Sequence, residues 1–388
     1  MKWPLMGETI TLADRLKMAS FVMTAGRFTN GEKVKKFEKN WNDWLGSKYS
    51  LFVSSGSTAN FLLVAAIMEK YNLKRGDEVL LPACTWMTNV APCIQLGLKP
   101  VFCDVNLQNY SFDIPSARIV AKNNNIKLIF VSHLLGFSGQ VETLQHIFPR
   151  AIVIEDTCES HGCINYFGDR SKRGASSLGS TYSFYFGHHM STIEGGMVST
   201  YDEDLYDLMK MKRSHGLARE SINFAEHAIN NSHIDRQFLF MTDGYNFRNH
   251  EIAAVLGISQ LKRLDKMIKQ RRENYKDYTR IINSHSALFK EHRYDPGNSS
   301  FCFPFICKTP EIMEKMKTAF RKNNVEFRPI VSGNLLDQPF LRGKYPLTSA
   351  ITTPNVHLLQ KQGVYIGNNH FVGKKHMKLL EEIVGEIK

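Results

Sequence analysis

The chain has 388 residues, 43% of them apolar, and that length predicts two subdomains, each with enough apolar side chains for its own interior. No run approaches the roughly 20 apolar residues of a membrane span, and Met1 to Glu8 lack a signal-peptide core, so a cytoplasmic protein with no membrane partner is expected. The formal charge of +12 suits nucleic acid or an anionic small molecule; with no nucleic-acid motif present, a phosphate-bearing ligand on a generally basic surface is expected instead.

Residues 12–25 predict a helix, and Gly26 to Gly31 lead into a second. Residues 49–53 read as a strand that runs into Ser54-Ser55-Gly56-Ser57-Thr58-Ala59-Asn60, with an apolar helix over about 61–71. Strand, hydroxyl-rich turn and helix start make a phosphate cup, because free N–H groups and the positive helix end converge there. Ser-rich helix caps without a ligand look the same in sequence.

Residues 78–81 form the next expected strand, ended by Pro82, and Thr85 to Asn89 open a helix. Trp86 thus sits at a strand end, where it stacks on a planar ligand or fills a core. Further strands are expected at 100–104, 126–132 and 151–155, with helices between them. This alternation predicts a largely parallel, doubly wound α/β sheet with its site at the strand C-termini. The last of these strands delivers Asp156, followed by Thr157, Cys158, Glu159 and His161. A carboxylate so placed caps a helix, binds a metal, or pairs with a protonated heterocyclic nitrogen.

Residues 181–200 hold two strand-like runs, 182–186 and 197–200, around a turn bounded by Gly187, Gly195 and Gly196. The turn carries Ser183, His188, His189 and Glu194, and a plain hairpin with a decorated loop is the alternative. Arg213 to Gly216 and Asp243 to His250 read as loops. An amphipathic helix over 251–278 follows, with Ile252, Val255, Ile258, Leu261, Leu264 and Ile268 at helical spacing, and is expected to bridge the subdomains. Its Lys262, Arg263, Lys266, Lys269, Arg271 and Arg272 read as a solvated face. A strand over 300–307, a helix over 310–323, the run 325–329 and a helix over 374–387 complete the chain.

Seven scattered cysteines fit reduced thiols. Cys158/Cys163 and Cys302/Cys307 share a C-x4-C spacing, but along a strand that separation puts Cys302 and Cys307 on opposite faces, so no metal site is expected.

Five features in this order resemble the sugar aminotransferase family: Phe28, Thr29, Gly31, Val34, Phe37 and Glu38; Ser55-Gly56-Ser57-Thr58-Ala59; Ile154-Glu155-Asp156; Ser183-Phe184 through Glu194-Gly195-Gly196; and Gly244-Tyr245-Asn246-Phe247-Arg248. The resemblance implies a fold-type-I, aspartate aminotransferase-like transferase dependent on pyridoxal or pyridoxamine phosphate. It implies a large domain with a mostly parallel seven-stranded sheet within residues 1–250, and a smaller α/β domain within 251–388. By the same resemblance Gly56, Ser57 and Ser183 hold the cofactor phosphate, and Asn246 reaches it from the partner subunit of a homodimer. Trp86 stacks on the pyridine ring and Asp156 pairs with its nitrogen, keeping it protonated as an electron sink.

Two departures matter. His188 stands where the family's lysine holds the cofactor covalently; an imidazole forms no such stable bond, but its unperturbed pKa of about 6.5 suits proton transfer. Glu159 stands where the family usually has Gln near the cofactor's ring hydroxyl, and is expected to alter local hydrogen bonding and His188's pKa. Lysine-to-histidine replacement resembles the pyridoxamine-phosphate-dependent 3-dehydratases. One branch carries an iron–sulfur cluster needing about four cysteines, and only Cys302 and Cys307 follow the active-site stretch. The redox-free branch therefore matches better, implying a GDP-linked 4-keto-6-deoxy sugar as substrate and glutamate as amino donor. His215, Arg248 and Arg328 are expected to bind the diphosphate or the donor carboxylates. The competing readings are a non-catalytic, lysine-less nucleotide-sugar-binding homologue and an aminotransferase with an engineered lysine-to-histidine change.

Overall fold

Short apolar runs closed by turn residues give the strands, and the computed structural model describes residues 2–344 and 353–387. Among them, β1 (Tyr49–Val53), β2 (Glu78–Pro82), β3 (Lys99–Cys103), β4 (Ile126–Ser132), β5 (Ile152–Asp156), β6 (Ser180–Ser183) and β7 (Gly196–Thr200) form one sheet in the order β1-β7-β6-β5-β4-β2-β3. β7 is antiparallel to both neighbours, and the other pairs are parallel. A second, antiparallel sheet joins β8 (Cys302–Ile306), β9 (Phe327–Pro329) and β10 (Gly363–Gly367), with β10 central.

The helices are α1 (Leu12–Thr24), α2 (Glu32–Leu45), α3 (Gly56–Lys70), α4 (Met87–Gln95), α5 (Ile114–Asn123), α6 (Val141–Ile147), α7 (Glu203–Arg213), α8 (Phe224–Asn230), α9 (Glu251–Ser284), α10 (Pro310–Lys322), α11 (Pro354–Gln362) and α12 (Lys374–Gly385). No helix among the described residues is long and apolar enough to cross a membrane.

Strand register lines up one edge of the large sheet. Val53 and Ser183 both pair with Gly196, while Ser132 and Thr181 both pair with Asp156. A Cβ on Gly196 would lie 2.2 Å from the Ser55 carbonyl, so only glycine lets the β1–α3 turn cross directly above it.

Several boundaries differ from the sequence expectation. α3 begins at Gly56 rather than near Phe61, because the Ser55 hydroxyl accepts from Thr58 N and Thr58 Oγ1 accepts from Ser55 N, a reciprocal cap. β6 stops at Ser183 rather than Phe186: Phe184 turns away by bonding Gly195 O and Thr192 N, and its ring is buried with Phe37, Trp41, Phe52 and Tyr182. Arg213, expected in a loop, closes α7. The sequence reading also passed over α7, α11 and β10.

α9 runs 34 residues, and its core face differs from the expected one. Ile252, Val255, Ile258 and Leu261 are only half-buried; Ala253, Ala254, Gly257, Leu264, Met267 and Ile268 carry the buried face. A Cβ on Gly257 would meet the Phe37 ring at 2.6 Å, so small residues let α2 approach closely. The basic residues of α9 are not all solvated either. Lys262, Lys266 and Lys269 are exposed, but Arg263 pairs with buried Asp14, Arg272 donates to Gly162 O, and Arg271 is 3% exposed.

Two tethers fix the ends of this arrangement. Trp3 is fully buried against the small sheet, its Nε1 donating to Gly367 O at 2.8 Å and its backbone bonded to Asn324 O and Glu326 N. Glu251, the first residue of α9, accepts from Gly31 N, Lys33 N and Val34 N at 2.8–3.0 Å, and so closes the start of α2, where Gly31 offers no side-chain cap. Glu251→Ala leaves two buried N–H groups and one half-buried N–H without that acceptor and should lower unfolding free energy by roughly 2–4 kcal/mol, read from a shifted urea midpoint.

Candidate active site

α3 starts at the sheet edge with the amides of Gly56 and Ser57 outside its own hydrogen-bond ladder. The Ser57 and Ser183 side chains line the same cavity. A Cβ on Gly56 would come 2.6 Å from Ser183 Cβ and 3.2 Å from Cys158 Sγ, so Gly56 is what allows the two elements to close around the turn. Free amides, two hydroxyls and a helix N-terminus form an anion-binding end.

At the other end, Asp156 is 7% exposed. Its Oδ2 accepts from Asn60 Nδ2 at 2.9 Å and Asn89 Nδ2 at 2.7 Å, and its Oδ1 from Cys158 N at 2.8 Å. Both amides are oriented by donors to their oxygens: Thr181 Oγ1 donates to Asn60 Oδ1 at 2.5 Å, and Thr85 Oγ1 to Asn89 Oδ1 at 2.7 Å. The sequence reading missed this frame. Its signal was two Asn residues inside otherwise apolar helices, one beginning at the cup and one beside Trp86.

The cavity measures about 380 Å³. Of the expected site residues, Gly56, Ser57, Trp86, Asp156, Glu159, Ser183, His188 and Arg328 line it; the small sheet adds Cys302 and Tyr365. Trp86 is the residue before α4 and is 57% exposed, which makes it part of the rim rather than of a core. No group of three or more His, Cys, Asp or Glu side chains among the described residues is placed to hold a metal ion.

His188 lies in the β6–β7 turn, its N–H donating to Tyr185 O at 3.0 Å. The ring is half-buried; Nδ1 is covered and has no hydrogen-bond partner among the described residues. Burial pushes its pKa down to about 4, with Asp156 opposing and Arg271 adding to the shift. Glu159 is not among the groups that move it, contrary to expectation. His188 is therefore neutral near pH 7 and has a lone pair to accept a proton. His189 is fully buried outside the cavity, with Nε2 donating to Ser299 O at 3.4 Å.

Glu159 accepts from Leu135 N at 2.7 Å, and burial, with Asp156 nearby, raises its pKa to about 7. About half of it is protonated at neutrality. In that form the carboxyl donates a hydrogen bond, as the amide of Gln would.

Three expected site residues lie outside the cavity. His215 is exposed, in the left-handed region at φ 65°, and its Nε2 is 3.3 Å from Arg248 Nη2. Asn246 is exposed and bridges to Ser214, and Phe247 O accepts from Ser54 N, which sets this segment beside the cup.

The chain matches the DegT/DnrJ/EryC1/StrS aminotransferase family over residues 10–368. It is 33% identical over 374 residues to a GDP-4-keto-6-deoxy-D-mannose 3-dehydratase from Yersinia pseudotuberculosis, covering 94% of this chain and 93% of that one. Among solved structures it is similar to a GDP-4-keto-6-deoxymannose-3-dehydratase with a trapped PLP-glutamate geminal diamine (TM-score 0.89, 30% identity, 99% of this chain and 100% of that one). A histidine-to-asparagine mutant of a GDP-4-keto-6-deoxymannose-3-dehydratase with bound GDP-perosamine is equally similar (TM-score 0.89, 29% identity, 99% and 100%).

Because Glu159 titrates near 7 when folded against an ordinary 4.5, the folded state holds the extra proton between these values. Its stability contribution is present below 4.5 and lost as pH rises through 7. Glu159→Gln should remove that slope: thermal unfolding of the cofactor-free variant should match wild type at pH 5 and lie about 2 °C higher at pH 8.

Proposed function

The chain belongs to the DegT/DnrJ/EryC1/StrS aminotransferase family, and on that premise we propose that it is a pyridoxal/pyridoxamine-phosphate-dependent 3-dehydratase of GDP-4-keto-6-deoxymannose. The observation that carries the reading is a neutral, half-buried His188 on the wall shared by the anion cup and Asp156, at the position where the family's lysine is expected.

The residues present fit the cofactor. The Gly56 and Ser57 amides with the Ser57 and Ser183 hydroxyls would take its phosphate, and the pinned Asp156 a protonated ring nitrogen. Trp86 at the rim would cover one face of the ring, and Glu159 would meet the ring hydroxyl. When bound as the amine, pyridoxamine phosphate supplies a nitrogen for the sugar's C4 ketone and a protonated ring that accepts electron density.

The chain's own residues move the protons. His188, neutral and untethered, accepts a proton at Nε2 and, as imidazolium, donates it to the departing C3 hydroxyl, so one group serves as base and then acid. Asp156 holds the cationic ring nitrogen throughout. Over the cycle glutamate supplies the two electrons that replace the C3 hydroxyl by hydrogen, leaving as 2-oxoglutarate and ammonia.

Arg328, on the cavity wall, together with the His215/Arg248 pair, would take the diphosphate or the donor's carboxylates. Asn246 would complete the phosphate site of a second subunit in a homodimer. Exposed apolar side chains on α1, among them Leu12 at 71% and Met23 at 84%, support such an assembly. A non-catalytic homologue has less support, since it would need neither a pinned carboxylate nor a neutral imidazole beside it.

Incubation with pyridoxal phosphate, glutamate and GDP-4-keto-6-deoxymannose should give a 3-deoxy-4-keto sugar, 2-oxoglutarate and ammonia by mass spectrometry and coupled assay. Unchanged sugar despite confirmed cofactor binding would sink the reading. His188→Lys should lower 3-deoxygenation by roughly 10²- to 10⁴-fold while making cofactor retention resistant to gel filtration after borohydride reduction.

A further inference from the structure

Behind His188 lies a group of buried imidazoles that the reaction as described leaves unused. His161 and His189 are both fully buried. The His161 ring sits 6.2 Å from that of His188 and 5.3 Å from that of His189, centroid to centroid. Neither ring nitrogen of His161 has a hydrogen-bond partner among the described residues, nor does Nδ1 of His188 or of His189. Buried polar atoms are almost always satisfied, and four unpaired imidazole nitrogens on three neighbouring rings share one explanation. With the ring centres 6.2 Å apart, the ring nitrogens of His161 and His188 stay beyond direct N–H···N distance even when turned toward each other, and one water fits between them.

The geometry points to an internal water that bridges His188 Nδ1 to His161, making His161 a positioning residue that holds His188 as the Nδ1–H tautomer with Nε2 bare toward the cavity. The proposed direction of the chain is anchored at its far end. A carbonyl only accepts, so His189 must donate from Nε2 to Ser299 O, which leaves its Nδ1 as an acceptor. In the proposed chain His161 donates toward His189 and presents its other nitrogen to the water, which donates to it and accepts from His188 Nδ1–H. Only with the proton on Nδ1 is Nε2 of a neutral His188 free to take one from the cavity side.

Charge around the group keeps the chain neutral. Burial first, and then the buried guanidinium of Arg271, hold His188 and His189 in their uncharged forms; for His161, burial comes first, then His188, then Arg271. Arg271 itself titrates at about 10, lowered by burial, and remains a cation at neutrality. It donates to Phe301 O and Asn368 O, and its Nε has no partner among the described residues. Asp156 is the opposing charge on His188. With no carboxylate bonded to Nδ1, a neutral acceptor is the group that sets the tautomer in this chain.

The inference rests on the catalytic role proposed for His188, yet its first test needs no turnover. The cofactor-free enzyme labelled with ¹⁵N-histidine should show His188 as a single Nδ1–H tautomer; an Nε2–H tautomer in wild type would overturn the proposal without any variant. His161→Phe keeps a ring against Trp41, Tyr182 and Phe184 but removes both nitrogens. In the folded variant the His188 tautomer preference should be lost, and His161→Gln, which keeps a donor and an acceptor, should restore it. In the loaded enzyme His161→Phe should lower kcat by roughly 10²-fold with KM for the GDP-sugar unchanged, and Gln should recover part of that loss. An unchanged tautomer in folded His161→Phe, or a changed tautomer with undiminished kcat, would overturn the proposal. Wild-type enzyme that binds cofactor but leaves the sugar intact would instead count against the dehydratase reading, with the tautomer result standing by itself.

Discussion

Asp156 ends β5 inside the sheet with one oxygen receiving two amide N–H groups, from Asn60 at 2.9 Å and Asn89 at 2.7 Å. The amides come from two different helices, and each is prevented from flipping by a threonine hydroxyl on its oxygen. A buried carboxylate is costly unless its lone pairs are met, and here the protein meets them without a positive charge. The carboxylate is thus left to pair with a cation that is not a side chain. The helices that supply the amides also supply the cup of free N–H groups, through α3, and the rim tryptophan, through α4, so both ends of the cavity are set by the same two elements.

A different balance governs the β6–β7 turn. A free lysine there, ordinarily protonated at neutrality, would add a second cation to a site whose neighbour Arg271 is already a buried one. An imidazole, pushed down to about 4 by burial, is uncharged near neutrality and, in the proposed reaction, charged only while it holds a proton in transit. Glu159 moves in the opposite direction, up to about 7, and approaches the donor character of the amide it replaces. At the two positions where the resemblance expects lysine and glutamine, His188 is therefore uncharged near neutrality and Glu159 about half so.

Much of this was legible in the residues. β1 and β4 lie where short apolar runs bounded by turn residues put them, and the parallel alternation and the placement of Asp156 at a strand end follow from the same pattern. The start of α3 was harder, because Ser54 to Asn60 carry residues common in loops and the reciprocal cap of Ser55 and Thr58 shows only in three dimensions. On α9 periodicity selected the bulky aliphatics, whereas the helix packs through Ala253, Ala254 and Gly257, since close approach to Phe37 favours what is small. Asn60 and Asn89 offered one signal, a polar residue inside an otherwise apolar helix, and His161 only its place after Asp156; what each bonds or faces shows only once the fold brings them to one edge.

Leu5 and Met6 line the cavity, and they are held there by Trp3, which is buried against residues 324–326 and Gly367. On the ribosome Trp3, Leu5 and Met6 appear on the order of tens of seconds before their partners. The large sheet can pair its strands in the interval, but one wall of the cavity is added only when β10 is made. The enclosure of the cavity therefore waits for β10, and a nascent chain that has not reached β10 carries the cup and the carboxylate without the wall that closes them into a site.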